Sequence, residues 1–121
     1  MKVMVVDDEM EIIELVRNML QVEGIEVIGA LSGKECLKKL RSEKPDFIFL
    51  DIMMPEMDGW ETLNEIKKDK KLKDVPVAMF TVKPLTSNVL RREEIEKIVD
   101  YVTKPFSKED LLEVIRQVID F

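Results

Sequence analysis

Five polar side chains in this sequence stand directly behind short apolar runs, and their types can do chemistry together. Asp7 and Asp8 follow Val3-Met4-Val5-Val6, and Asp51 follows Phe47-Ile48-Phe49-Leu50. Thr81 closes the run Val75-Pro76-Val77-Ala78-Met79-Phe80, and Lys104 follows Tyr101-Val102-Thr103. Taken singly, each has an ordinary explanation. Aspartates favour turns and helix starts, threonine favours strands, and Lys-Pro is a common surface corner. Their joint placement carries the information. If the runs are neighbouring strands, three carboxylates share a partly dry crevice and repel one another strongly. One lysine offsets one of those charges. A hard divalent cation is the natural complement, and Mg2+, held by one or two carboxylates with waters and phosphate oxygens completing its octahedron, suits the set. A phosphoryl group brings such oxygens, so the pattern points to phosphoryl binding or transfer.

The elements needed to gather these residues can be read along the chain. The run 3–6 is continuously apolar, as a strand buried on both faces must be. From Met10 to Val22, Ile12, Ile13, Leu15, Val16, Met19 and Leu20 recur at helical spacing, and Gly24 follows as a stop. Glu26 to Ala30 is a second strand; Ser32 and Glu35 form a capping box for a helix carrying Cys36, Leu37 and Leu40, broken at Pro45. After the third strand at 47–50, residues 52–59 read as a loop, with Gly59 expected to hold an unusual dihedral. A helix follows from about Trp60 to Asp69, then a fourth strand over 75–80 with Pro76 near its start, where a lost amide donor is tolerable. Residues 86–98 read as a weakly periodic fourth helix and 101–103 as a fifth strand. Ser107 and Asp110 cap a fifth helix with Leu111, Leu112, Ile115, Val118 and Ile119 on one face. Strict alternation of strand and helix implies the α/β doubly wound class, a five-stranded parallel sheet with helices on both faces. Ligands of such sheets sit at the carboxyl ends of the strands, where the winding reverses. The five polar groups fall there.

Composition narrows the function. A length of 121 residues suits a single domain over 1–121, with 45% hydrophobic residues supplying one core. The net charge of −6 argues against nucleic-acid binding, which needs a basic face. With no histidine, the chain holds no histidine-based triad, His-ligated zinc site or histidine kinase activity of its own. A lone cysteine, Cys36, excludes an internal disulfide and a cysteine-cluster metal site. The apolar start meets Asp7 too early for a signal peptide, and no stretch approaches a membrane span, so a soluble cytoplasmic location is expected.

Together, Asp7-Asp8, the segment Asp51-Ile52-Met53-Met54-Pro55-Glu56-Met57-Asp58-Gly59, Phe80-Thr81, and Asp100-Tyr101-Val102-Thr103-Lys104-Pro105-Phe106 resemble the receiver domain of two-component response regulators, over essentially the whole chain. The resemblance implies a flavodoxin-like, CheY-like (βα)5 fold in which Asp51 takes a phosphoryl group from a phosphohistidine on a histidine kinase or histidine phosphotransfer protein. It implies Mg2+, with Mn2+ able to substitute, bound directly by Asp8, Asp51 and the main-chain carbonyl of Met53, and by Asp7 through a metal-bound water. Thr81 and Lys104 would contact the phosphate, the Lys104-Pro105 bond would be cis, and Thr81 with Tyr101 would switch the surface formed by the fourth helix, fifth strand and fifth helix to control an effector. Such a chain would modify only itself, as a monomer or a phosphorylation-dependent dimer. The roles are chemically sound: phosphoryl transfer depends mostly on positioning and charge neutralisation, and a carboxylate is an adequate nucleophile for an activated donor.

Some positions depart from the family pattern. Val82 stands where receivers usually carry alanine or another small residue, which would narrow the route to Asp51 and slow exchange with bulky partners. Lys97-Ile98-Val99 replaces the Gly-Ala often found before Asp100-Tyr101, and Lys83 with Met53 would tune the lifetime of the acyl phosphate. Three other functions compete. A phosphorylation-independent pseudo-receiver would keep the fold without the chemistry, but every required side chain is present. A haloacid-dehalogenase-like phosphatase needs a second aspartate two residues after the nucleophile, where this chain has Met53. A flavodoxin-like electron carrier needs a phosphate loop after strand one, where Asp7-Asp8-Glu9 would repel phosphate.

Overall fold

The computed structural model describes residues 1–82 and 96–121. Its elements run β1 (Lys2–Val6), α1 (Met10–Gln21), β2 (Glu26–Ala30), α2 (Gly33–Lys39), β3 (Phe47–Asp51), α3 (Gly59–Lys68), β4 (Val77–Val82), β5 (Tyr101–Lys104) and α4 (Lys108–Arg116). The label α4 thus belongs to the helix read as fifth in the sequence. Of the helix expected over 86–98, only residues 96–98 are described; Lys83 also lies outside the described residues.

The strands form one parallel sheet in the order β2-β1-β3-β4-β5. The chain winds outward from β1 to β2, then returns to the other side of β1 for β3 and continues away. The reversal leaves a crevice beyond the carboxyl ends of β1 and β3. Alternation along each strand divides the core in two. Val3, Val5, Phe47, Phe49, Ala78, Phe80 and Val102 face α1 and α4, whereas Met4, Val6, Ile48, Leu50, Val77 and Met79 face α2 and α3. All five residues of β3 are buried, which explains why that run is apolar throughout until Asp51.

Three local expectations are corrected. The unusual dihedral expected at Gly59 falls instead at Glu56, with φ 66°. Gly59 is the first residue of α3, and what requires glycine there is proximity: a Cβ would stand 2.3 Å from the carbonyl oxygen of Asp51 and 2.8 Å from Cα of Ile52. The second helix stops before Pro45, because the amides of Arg41 and Ser42 bond back to Lys38 and Lys39 at three-residue spacing and tighten the chain into a turn. The last helix ends at Arg116, leaving Val118 exposed, while Val114 joins the buried face.

The close seating of α3 on β3 generates a prediction. Gly59→Ala presses a methyl group onto backbone that no rotamer change can relieve, so chemical denaturation should show a loss of about 1–3 kcal/mol. An unchanged midpoint would contradict this packing.

Candidate functional site

Each polar group at the sheet edge owes its position to the strand before it. Asp7 extends the β1–β2 ladder by one bond, its amide donating to the carbonyl of Ala30 at 3.0 Å. Its side chain is completely buried and both oxygens are engaged: Oδ1 accepts from the amide of Glu9 at 2.9 Å, and Oδ2 accepts from Lys104 Nζ at 2.6 Å. Asp8 turns outward and is exposed. Asp51 ends β3 in register with Phe80 and is buried, with the Met53 amide donating to its carboxylate and Lys104 Nζ 3.6 Å from its Oδ1. Thr81 is buried one residue further along β4 than Phe80, its hydroxyl donating to the Val82 carbonyl at 3.4 Å. Lys104 reaches inward from the end of β5, paired in register with Val82, and its bond to Pro105 is cis.

Oxygen atoms of Asp7, Asp8 and Asp51, one from each, lie within 4.8 Å of one another, a spacing that could hold a metal ion. The donor set is all carboxylate, as a hard cation prefers. The crowding shows in the protonation of Asp51, which is pushed up to about 7, first by burial and next by the charge of Asp7; Lys104 and the Met53 amide pull the other way. Lys104 titrates above its ordinary value. Burial alone would lower it, but the hydrogen bond to Asp7 and the charges of Asp51, Asp7 and Glu9 outweigh that effect.

The structure therefore brings Asp7, Asp8, Asp51 and Lys104 together, with Thr81 on the adjacent strand. Tyr101 lies on the other side of the sheet edge, packed against the α2/α3 core with its ring edge-on to Trp60 at 6.4 Å. Its hydroxyl oxygen is buried. One feature of the loop was missed: α3 opens with a reciprocal capping box between Asp58 and Glu61, which fixes where the loop after Asp51 ends. The Asp-x-x-Glu spacing of Asp58-Gly59-Trp60-Glu61 was a visible signal for it.

Comparison with known proteins now decides the family, because the model of the response regulator receiver domain matches residues 3–116. The chain belongs to the response regulator receiver family. It is 38% identical to the alkaline phosphatase synthesis transcriptional regulatory protein PhoP of Bacillus subtilis, covering 91% of this chain and 45% of PhoP. Protein PilG of Pseudomonas aeruginosa is also 38% identical, covering 96% of this chain and 85% of PilG. The chain thus spans about half the length of PhoP and most of PilG. Among solved structures, the chemotaxis protein CheY4 of Vibrio cholerae superposes with a TM-score of 0.88 at 31% identity, covering 98% of both chains. The N-terminal domain of a receiver protein from Methanoculleus marisnigri is 43% identical, with a TM-score of 0.79 over 99% of this chain and 97% of that one. This receiver is accordingly a two-component signalling module with the CheY-like fold. No helix among its described residues is long and apolar enough to cross a membrane.

The raised value at Asp51 has a definite sign in stability. Without metal, native Asp51 keeps its proton up to about pH 7, whereas in the unfolded chain it ionises near the ordinary carboxylate value of about 4. The native state binds the extra proton in between, so this group's contribution falls as pH rises from about 4 to about 7, by up to ~1.4 kcal/mol per pH unit. Asp51→Asn should therefore be more stable than the parent at neutral pH, with the difference in melting temperature shrinking toward pH 4. A variant less stable at pH 7 would contradict the crowded site.

Proposed function

We propose that this receiver accepts a phosphoryl group on Asp51 from a phosphohistidine of a histidine kinase or histidine phosphotransfer protein, in a Mg2+-dependent reaction that Mn2+ also supports. The observation that carries the proposal is the gathering of Asp7, Asp8 and Asp51 within 4.8 Å, with Lys104 beside Asp7 and Asp51. Asp8, Asp51 and the Met53 carbonyl would hold the metal directly, and Asp7 through a water. When bound, the metal supplies positive charge to the phosphoryl oxygens. The protein's own side chains do the rest. A carboxylate oxygen of Asp51 attacks phosphorus in line as the P–N bond to the donor histidine breaks; that bond's electron pair stays on the ring nitrogen, and the donor leaves as neutral imidazole because its other ring nitrogen carries the proton. Lys104, half-buried between Asp7 and Asp51, moves a short distance to donate to a phosphoryl oxygen, and the hydroxyl of Thr81 leaves the Val82 carbonyl to donate to another. Hydrolysis of the labile acyl phosphate resets the site, so the chain catalyses only its own phosphorylation and dephosphorylation.

The signal leaves through Thr81 and Tyr101. Withdrawal of the Thr81 side chain toward phosphate changes the packing beside Tyr101 and with it the surface of the predicted fourth helix, β5 and α4, a local charge change biasing a bistable element. That surface would meet an effector protein in the cytoplasm, with the receiver acting as a monomer or dimerising on phosphorylation, and with no nucleic-acid contact of its own. The phosphatase reading has no support at the site. Met53, two residues after Asp51, offers only an exposed thioether and no acid for a leaving alcohol.

Intact mass after incubation with a small acyl-phosphate donor tests the proposal. The expected result is a gain of one phosphoryl group that requires Mg2+ and is absent in Asp51→Asn. No adduct under conditions that preserve acyl phosphates would favour a phosphorylation-independent interaction module.

A further inference from the structure

An aromatic ladder climbs the α1/α4 side of the sheet and ends beneath the site. Phe47 and Phe49 of β3 have ring centroids 4.9 Å apart; Phe49 and Phe80 of β4 stack at 5.2 Å with planes 5° apart; Phe80 and Phe106 stack at 5.0 Å and 11°. Phe80 thus stacks on two rings and is fully buried. The Lys104 ammonium lies over the same ring, 5.8 Å from its centroid.

We infer that Phe80 is a positioning residue for Lys104, holding the ammonium between the two carboxylates through its ring face. The inference rests on the proposed role of Lys104 at the phosphoryl group. Lys104 has competing attractions: Asp7 at 2.6 Å, Asp51 at 3.6 Å, and the charge of Glu9. The shortest of these draws it away from the acceptor. A lysine stem has four rotatable carbons, so nothing in its own geometry keeps the head near Asp51. The stem needs a fixed support. A phenyl face carries partial negative charge and attracts a cation within about 6 Å, more strongly where water is excluded. An aliphatic side chain at position 80 would fill the space without that attraction, and would desolvate the ammonium with nothing in return. Because Phe49 and Phe106 fix the plane of the ring, the support cannot tilt. Phe106, two residues beyond Lys104, ties the same strand end to the ladder.

Two measurements test this. Replacing Phe80 with mono-, di- and trifluorinated phenylalanines keeps the ring's shape while draining its negative face. The rate of phosphorylation by a small acyl phosphate at saturating Mg2+ should fall stepwise, about three- to fivefold across the series. A purely packing role predicts no such loss, since ring stacking on Phe49 and Phe106 survives fluorination. In the unphosphorylated protein, the ε-methylene protons of Lys104 should be shifted upfield by the ring current, and Phe80→Leu should return them toward ordinary values. Flat rates across the series, or ε-methylene protons at ordinary values in the parent, would overturn the inference. If the parent takes up no phosphoryl group at all, it is the proposed function that fails, and the proton shifts alone then decide whether Phe80 holds Lys104.

Discussion

The gathering of three carboxylates beside the Lys104 ammonium is the constraint on which the site depends. Asp7 is fully buried and satisfied: the Glu9 amide and Lys104 take both of its oxygens. That leaves Asp51 with the more distant contact from Lys104 and with Asp8 and Asp7 as like-charged neighbours. A carboxylate so placed holds its proton to a higher pH than a solvated one, first because of burial and next because of the charge of Asp7. The surrounding fold maintains this imbalance. Parallel strands buried on both faces cannot slip register without driving polar residues into one core or the other, so Asp7 and Asp51 stay opposed across the reversal between β1 and β3.

The second feature is the rigidity of the frame behind the charges. Gly59 lets α3 close onto the backbone of Asp51, and the Asp58–Glu61 capping box fixes the start of that helix. The loop between them carries Met53, whose amide already donates to Asp51. On the other strands, the Phe49–Phe80–Phe106 stack connects β3, β4 and the end of β5 beneath Lys104. Thr81 and Tyr101 belong to β4 and β5 as well, and Tyr101 packs on the other core, where it leans on Trp60. A site held this firmly on one side can transmit a small displacement to the other, because packed cores move between discrete arrangements and do not deform continuously.

Much of this was legible in the sequence, for identifiable reasons. Apolar runs of four residues ending in Asp, Thr or Lys announce buried strands and the edge where chemistry collects, and no tertiary competition disturbs so strong a pattern. Helix ends were harder to read. By residue type Pro45 is the terminator of the second helix, yet the turn at Arg41 and Ser42 ends it earlier, a choice between backbone hydrogen-bond patterns that side-chain types barely encode. Loop position suggests a conformational glycine at Gly59, whereas its role is to lack a side chain, a fact that depends on how closely α3 folds back onto the end of β3. The pairing of Lys104 with Asp7 at closer range than Asp51, and the ring beneath it, are likewise tertiary facts that spacing cannot reveal.

The central claim is that the site carries a deficit of positive charge that a divalent cation fills. Calorimetric titration of Mg2+ into the phosphoryl-free protein, alongside Asp8→Asn, addresses it directly. Asp8 is the exposed member of the trio, so its replacement leaves the core undisturbed. The account predicts one Mg2+ per chain in the parent and markedly weaker binding in the variant; equal affinity in both, or no binding by the parent at millimolar Mg2+, would contradict it.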